Sequence, residues 1–226
     1  MHALLAPPST AAPLLRGGLV LKRHTLTISL VILGLCALGV CAAAQEVVIG
    51  PDIFKINYFA NNGAAGAPDA TVRINNPGSA TEAPGTASSD VYLCSMIYVF
   101  DNDQQLSECC GCLVTPDGLR TLSVGHNLTN NPLTGVVSHN GVIKIVSALP
   151  NNSPCDPTTI FQPVPTVRAW ASHIQNKVGT AYPETETAFS DATLSGEEFE
   201  FNLIEQCAFA QRLGSGHAIC SCGTGD

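Results

Sequence analysis

Eight cysteines downstream of an export-type N-terminal segment constrain this chain more than any other feature. An even set of cysteines in an exported chain can pair completely, because disulfides form and persist in oxidising compartments. The sequence alone does not choose among the many connectivities that eight cysteines allow. We therefore take all eight as candidates for structural disulfides: Cys94, Cys109, Cys110, Cys112, Cys155, Cys207, Cys220 and Cys222.

Residues 1–44 have the pattern of a secretory signal peptide. A basic segment precedes the apolar run "LTISLVILGLCALGVCAAA", which ends in an A-x-A cleavage site. We expect cleavage after Ala44 and removal of the signal. Two alternatives stay open. An uncleaved membrane anchor would need a slightly longer apolar run, and lipid attachment at Cys41 would need a small residue where Val40 stands.

The chain that remains after cleavage, residues 45–226, is strongly acidic. Three of the ten basic residues lie in the signal and all 18 acidic residues follow it, which leaves seven basic residues and a net charge of −11. Such a surface repels phosphate backbones and has few cationic side chains to release counterions. We expect no nucleic-acid partner, and no membrane association after cleavage. The length suits a single secreted domain with a hydrophobic core.

The clearest strands lie in the middle of the chain. The run "VYLCSMIYVF" is apolar on both faces, aromatic and β-branched, as a buried strand is. The run "LSECCGCLVT" follows a polar turn as a second strand. Pro116-Asp117-Gly118 makes another turn, after which "LRTLSV" forms a third strand. Together these runs predict an antiparallel meander.

Shorter runs add further strands on either side of the meander. "FKINYF" predicts one strand, and "ATVRI" predicts another within a loop-rich stretch whose alternative is a disordered linker. Asn140-Gly141 lies between "GVVSH" and "VIKIVS" and predicts a hairpin, because both residues tolerate positive φ. "PTVRAWASHI" fits a strand or a helix, and Pro165 with the branched residues favours the strand.

The end of the chain has helical periodicity. Ser195 and Glu198 form a capping box, and Gly214 or Gly216 supplies a left-handed stop. The spacing predicts one helix from about Gly196 to Leu213, docked on the sheet. Its apolar face consists of Phe199, Leu203, Cys207 and Ala210.

The position of the cysteines limits how they pair. On a strand, Cys110 and Cys112 point to one face of the sheet and Cys109 points to the other. Cys109 and Cys110 should not bond to each other, because a bridge between neighbours strains the backbone. Cys94 lies on the paired strand, so a cross-hairpin bridge is one option. The pattern predicts bridges that fasten Cys207 and the "CSC" tail to the sheet.

Two other roles for the cysteines stay open as alternatives. Cys109 and Cys112 have the C-x-x-C spacing of thiol–disulfide enzymes, but those enzymes place the first cysteine at a helix N-terminus. The "CCGC" run together with His217, Cys220 and Cys222 offers ligands suited to zinc or copper(I). Disulfides are favoured over free thiolates in an oxidising compartment, so we assign no metal and no cofactor.

The run "TLSVGHN" is the one candidate for a hydrolase site. It resembles a nucleophile elbow around Ser123, but Thr121 stands where the first glycine belongs, and a loop follows where a helix should begin. His126, His139 and His173 are candidate bases. Histidines in such a chain are more often loop or surface residues. No catalytic residue is assigned.

Together these patterns predict a mainly β protein with an antiparallel β-sandwich, one C-terminal amphipathic α-helix and disulfide crosslinks. The sandwich spans about 46–178, a loop spans 179–194, and the helix with a Cys-rich tail spans 195–226. The predicted function is a secreted, periplasmic or extracellular, non-catalytic module that binds an unknown partner or supports an envelope structure. The alternative is an exported enzyme, either a serine hydrolase using Ser123 or a thiol–disulfide protein using Cys109 and Cys112.

Overall fold

Strands dominate the computed structural model of the protein, which describes residues 49–78, 81–83, 86–87, 91–150 and 155–223. The predicted signal over residues 1–44 lies outside the described residues. The strands are β1 Ile49–Phe59, β2 Thr71–Asn75, β3 Thr81–Ala83, β4 Thr86–Ala87, β5 Leu93–Asp101, β6 Leu106–Val114, β7 Leu119–Ser123, β8 Gly141–Ala148, β9 Arg168–Ile174, β10 Glu184–Ala188 and β11 Ser190–Leu194.

The strands form two large antiparallel sheets and one small hairpin. The five-stranded sheet has the order β11-β1-β8-β5-β6, the four-stranded sheet has the order β10-β9-β2-β7, and β3 pairs with β4. The predicted mainly β architecture with an antiparallel sandwich is therefore confirmed. The predicted strands "FKINYF" and "ATVRI" overlap β1 and β2, and β9 covers the last seven residues of the predicted strand "PTVRAWASHI".

The five-stranded sheet is apolar on both faces. One face packs against the four-stranded sheet, where Ile97, Val99 and Ile145 are buried with Val72 and Ala171. Tyr98 and Val146, which alternate with those residues along the same strands, belong to a second core on the opposite face. This double burial explains why β5 is apolar on both faces, with Ser95 as the one polar residue before the final Asp101.

The second core is closed by the C-terminal helix. The helix is π-helical over Glu198–Glu205 and α-helical over Gln206–Gly214. The Ser195 hydroxyl accepts a hydrogen bond from the Glu198 backbone N–H at 3.1 Å, so the predicted cap is present at the start. The left-handed residue after the helix is Ser215, with φ of 48°, where a glycine was predicted. The predicted apolar face is buried as a whole: Phe199, Leu203, Cys207 and Ala210.

The predicted three-stranded meander is wrong in its third strand. β5 and β6 pair as expected, but β7 pairs with β2 in the other sheet. β7 does not pair with β6 because the edge of β6 is already occupied. The C-terminal tail, residues 215–223, takes the place of a neighbouring strand there. The Cys109 N–H donates to the Ala218 carbonyl oxygen at 3.0 Å, and the Cys220 N–H donates to the Cys109 oxygen at 3.4 Å.

The predicted hairpin at Asn140-Gly141 is also wrong. β8 begins at Gly141, but both of its edges are already paired, one with β1 and one with β5. "GVVSH" therefore has no strand edge to join and follows an irregular path. Gly141 is needed for close approach: a Cβ atom there would overlap the Phe100 carbonyl oxygen and the Phe59 ring.

The loop predicted over 179–194 contains two strands. β10 extends the four-stranded sheet at β9, and β11 extends the five-stranded sheet at β1, so the sandwich continues to Leu194. Every side chain of β10 is exposed. The apolar–polar alternation that identifies a half-buried strand is therefore missing from its sequence.

A glycine substitution tests the close approach at the start of β8. We expect Gly141→Ala to lower the free energy of unfolding by about 1–3 kcal/mol, because the new methyl group must displace backbone or the Phe59 ring. Gly196→Ala is the matched control, since a Cβ atom there meets no atom within 4 Å. Chemical denaturation followed by circular dichroism measures both. Equal stability of the two variants would contradict this packing.

Candidate functional site

The eight cysteines from Cys94 to Cys222 are all paired in the structure. The pairs are Cys94–Cys155, Cys109–Cys207, Cys110–Cys220 and Cys112–Cys222, with Cα–Cα distances of 5.4, 5.9, 5.2 and 5.3 Å. The expected disulfide crosslinking is therefore present. The cross-hairpin option for Cys94 is wrong, because its partner lies on the segment after β8.

Strand β6 distributes its cysteines to both sides of the five-stranded sheet. Cys109 belongs to the core under the helix and bonds Cys207, whereas Cys110 and Cys112 face the core between the sheets. Gly111 lies between them because a Cβ atom there would overlap the Cys155 backbone. Each position of the "CCGC" run therefore has its own structural role.

The pairing leaves the redox and metal interpretations without free thiolates. Cys109 and Cys112 bond different partners, so their C-x-x-C spacing does not correspond to an exchangeable pair. The sulfur atoms of Cys110, Cys112 and Cys222 lie within 4.8 Å of one another, as metal ligands would. Each of these sulfur atoms is bonded in a disulfide, whereas a metal ligand must be a thiolate.

The C-terminal tail connects the two sheets at the edge of β6. Two of its cysteines bond β6, and the Arg120 guanidinium of β7 donates to the carbonyl oxygens of Cys222 at 3.3 Å and of Leu113 at 2.8 Å. The Ser221 N–H donates to the Asn127 oxygen at 2.8 Å. The tail thus closes an edge that would otherwise expose unpaired backbone groups.

Ser123 ends β7 and caps a single π-helical turn, Val124–Leu128. Its hydroxyl oxygen accepts the His126 backbone N–H at 2.7 Å, and its hydroxyl also contacts the Asp69 carboxylate. The backbone of Ser123 has φ of −77° and ψ of 131°, an ordinary extended conformation without the strain of a nucleophile elbow. The loop expected after Gly125 therefore begins within a helical turn that ends at Leu128, and the serine serves as the cap of this turn.

Two of the three candidate histidines, His139 and His173, have hydrogen-bond partners other than Ser123, and His126 donates its backbone N–H to Ser123 Oγ. His139 Nδ1 lies 2.5 Å from the Asn62 carbonyl oxygen, and His173 Nε2 lies 2.6 Å from the Thr187 hydroxyl. His173 is buried and stacks on Tyr58 at 4.1 Å between ring centroids, and this burial lowers the pKa of His173. Within the described residues, no hydrogen bond joins an imidazole to Ser123. The geometry does not assemble a serine–histidine pair.

The outer face of the four-stranded sheet carries a polar surface that sequence reasoning missed. A cavity of 350 Å³ on this face is lined mainly by charged and hydroxyl side chains. The Arg73 guanidinium pairs with the Glu186 carboxylate at 2.7 Å, and Trp170, which is 37% exposed, is the register partner of Arg73. We call the following set the polar face: Asp69, Thr71, Arg73, Trp170, Ser172, Glu184, Thr185 and Glu186.

The residues of the polar face come from segments far apart in the sequence. Arg73 and Glu186 are 113 positions apart, so no local motif joins them. The only available signal was the alternation of "ATVRI", which places Thr71 and Arg73 on the side away from the core. Of the strands that carry the polar face, β2 and β9 bury their other face in the sandwich core, which gives this surface a rigid support.

A buried carboxyl group lies beside the tail. Glu108 is fully buried, and its Oε1 accepts the Asn131 backbone N–H at 2.8 Å. Burial raises the pKa of Glu108 to about 7, and the hydrogen bond from Asn131 opposes that rise. Asn131 in turn binds the tail, because its carbonyl oxygen accepts the Ala218 N–H at 2.7 Å and its side chain donates to the Gly216 oxygen at 2.8 Å.

Together the fold and these sites define a disulfide-crosslinked β-sandwich protein whose C-terminal helix and tail are bonded to one strand. Comparisons with protein-family models, with curated proteins and with solved structures find no match to this chain. Within the described part of the chain, no helix has the length and apolar character needed to cross a bilayer.

The buried carboxyl group predicts a pH dependence of stability. The pKa of Glu108 rises from 4.5 to about 7 on folding, so the folded state favours the neutral form. Its contribution is complete below pH 4.5 and is lost as the pH rises through 7, a loss of about 3 kcal/mol. Glu108→Gln keeps an oxygen that can accept the Asn131 N–H but does not titrate, so we expect this component to vanish.

Urea denaturation of wild type and Glu108→Gln between pH 4 and 8 measures the difference. The buried His173 titrates in both proteins, so subtracting one profile from the other isolates the Glu108 contribution. Parallel profiles over the whole range would mean that the carboxyl group titrates alike in the folded and unfolded states.

Proposed function

We propose that the protein is an exported, disulfide-stabilised, non-catalytic binding module that works in the periplasm or outside the cell. The observation that carries this proposal is the complete pairing of the eight cysteines after residue 44 in four disulfides. Such frameworks persist in oxidising compartments and are rare in the reducing cytoplasm. The signal pattern of residues 1–44 supports the same compartment.

The polar face is the surface that we assign to binding. It combines hydrogen-bonding groups of both kinds with the exposed Trp170 indole, which offers apolar contact and an N–H donor. Arg73 is held by its ion pair with Glu186, so the guanidinium plane is oriented before a partner arrives. The acidic surface of the mature chain argues against a nucleic-acid partner.

The non-catalytic part of the proposal follows from the partners of Ser123. Its hydroxyl group is engaged by the Asp69 carboxylate and by the His126 N–H, both of which stabilise the turn after β7. Asp69 also accepts the Gly125 N–H at 2.8 Å through its other carboxylate oxygen. Serine and aspartate thus act together as a cap, and within the described residues no imidazole is hydrogen-bonded to this hydroxyl group.

Export and oxidation are tested together by mass spectrometry. The chain is expressed with residues 1–44 in a secreting host, and the exported product is alkylated under denaturing conditions before and after reduction. We expect a mature N-terminus at Gln45, no alkylated cysteine before reduction and eight alkylated cysteines after it. Retention inside the cell with alkylatable thiols would contradict the proposal.

A fluorophosphonate probe tests the hydrolase alternative. We expect no labelling of the folded wild-type protein, because Ser123 lacks an imidazole partner in the described structure. Ser123→Ala should unfold about 1 kcal/mol more easily, since it removes the cap of the turn. Labelling of wild type that is absent from Ser123→Ala would revive the enzyme interpretation.

A further inference from the structure

The C-terminal helix exposes an aromatic surface on the side away from the sheet. Phe201 and Phe209 are 54% and 59% exposed, although the same helix buries Phe199 and Leu203 beneath it. A groove of 490 Å³ runs along this side. We call its main lining residues the outer helix face: Phe201, Glu205, Ala208, Phe209 and Arg212. Because both exposed phenylalanines line the same groove, they form one apolar surface of the kind that binds a partner.

The outer helix face is complementary to itself. Ala208 and Phe209 lie at its centre, with Glu205 three residues before Ala208 and Arg212 three residues after Phe209. If two such helices pair antiparallel about a two-fold axis, Glu205 of each copy lies opposite Arg212 of the other. The same operation places each Phe209 opposite the small Ala208 of the second copy.

We propose that the protein forms a symmetric homodimer through the outer helix face. A two-fold interface uses the same surface on both copies, so that surface must be complementary to itself. The outer helix face meets this requirement, because it carries opposite charges and a large and a small apolar residue. An anionic membrane is the poorer occupant, because Glu205 lies in the groove and the mature chain is acidic.

The backbone of the helix is already fixed, so this surface needs little ordering before it binds. The Cys109–Cys207 disulfide bonds its inner side to β6, and the Gln211 side chain donates to the Cys109 carbonyl oxygen at 3.3 Å. A surface fixed in this way loses little conformational entropy on association. The four-stranded sheet lies on the opposite side of the five-stranded sheet from the helix, so the dimer leaves the polar face free.

Charge exchange tests the pairing directly. The exported protein with intact disulfides is analysed by sedimentation equilibrium over a range of concentrations. We expect wild type to reach twice the mass of one chain. Glu205→Arg and Arg212→Glu should each weaken association at least about tenfold, because like charges then meet across the interface. An equimolar mixture of these two variants should form heterodimers, and the double variant should regain self-association.

Two controls keep the result interpretable. Glu197→Arg makes the same charge change at an exposed position of the helix start that does not line the groove, and it should leave association unchanged. Circular dichroism verifies that every variant is folded. A wild-type protein that stays monomeric would overturn the proposal. Two other results would also overturn it: a dimer whose affinity neither charge reversal changes, or single variants that form no heterodimer when mixed. In either case the contact would lie elsewhere.

Discussion

The free edge of β6 is the constraint on which the rest of the structure depends. An edge strand offers unpaired backbone groups, and this one would border both cores of the sandwich. The protein covers the edge with its own C-terminal tail, through backbone hydrogen bonds to Cys109 and disulfides from Cys110 and Cys112. Because the tail occupies this position, β7 joins the other sheet of the sandwich and does not complete the expected meander.

The side chains of β6 alternate between the two faces of its sheet, so this strand is bonded to the helix on one face and to the tail on the other. Cys109 holds the helix on one side, while its neighbours Cys110 and Cys112 hold the tail on the other side. Glu108 adds a buried carboxyl group that reaches the tail through Asn131. Disulfides stabilise mainly by restricting the unfolded chain, and each of these bridges closes a long loop. The domain thereby gains both stability and a defined path for residues 215–223.

Much of this arrangement could be predicted from the sequence, because it depends on the local periods of strands and helices. The period-two rule separated Cys109 from Cys110 and Cys112, and the helical spacing of Phe199, Leu203 and Cys207 identified the buried face of the helix. Which strands pair with each other could not be predicted from the sequence. Asn140-Gly141 has the sequence of a hairpin turn, but both edges of β8 are already paired with other strands. All side chains of β10 are exposed, so its sequence lacks the apolar–polar alternation that predicts a strand. The polar face joins Arg73 to Glu186 by tertiary structure alone.

Hydrogen exchange at β6 tests most directly whether the tail acts as its missing neighbour. Replacing Cys110, Cys112, Cys220 and Cys222 with alanine releases the tail but leaves the Cys109–Cys207 and Cys94–Cys155 bridges in place. We expect the Cys109 amide, which donates to Ala218, to exchange much faster, while amides shared by β1 and β8 keep their protection. Unchanged protection at Cys109 would contradict the idea that the tail closes this edge.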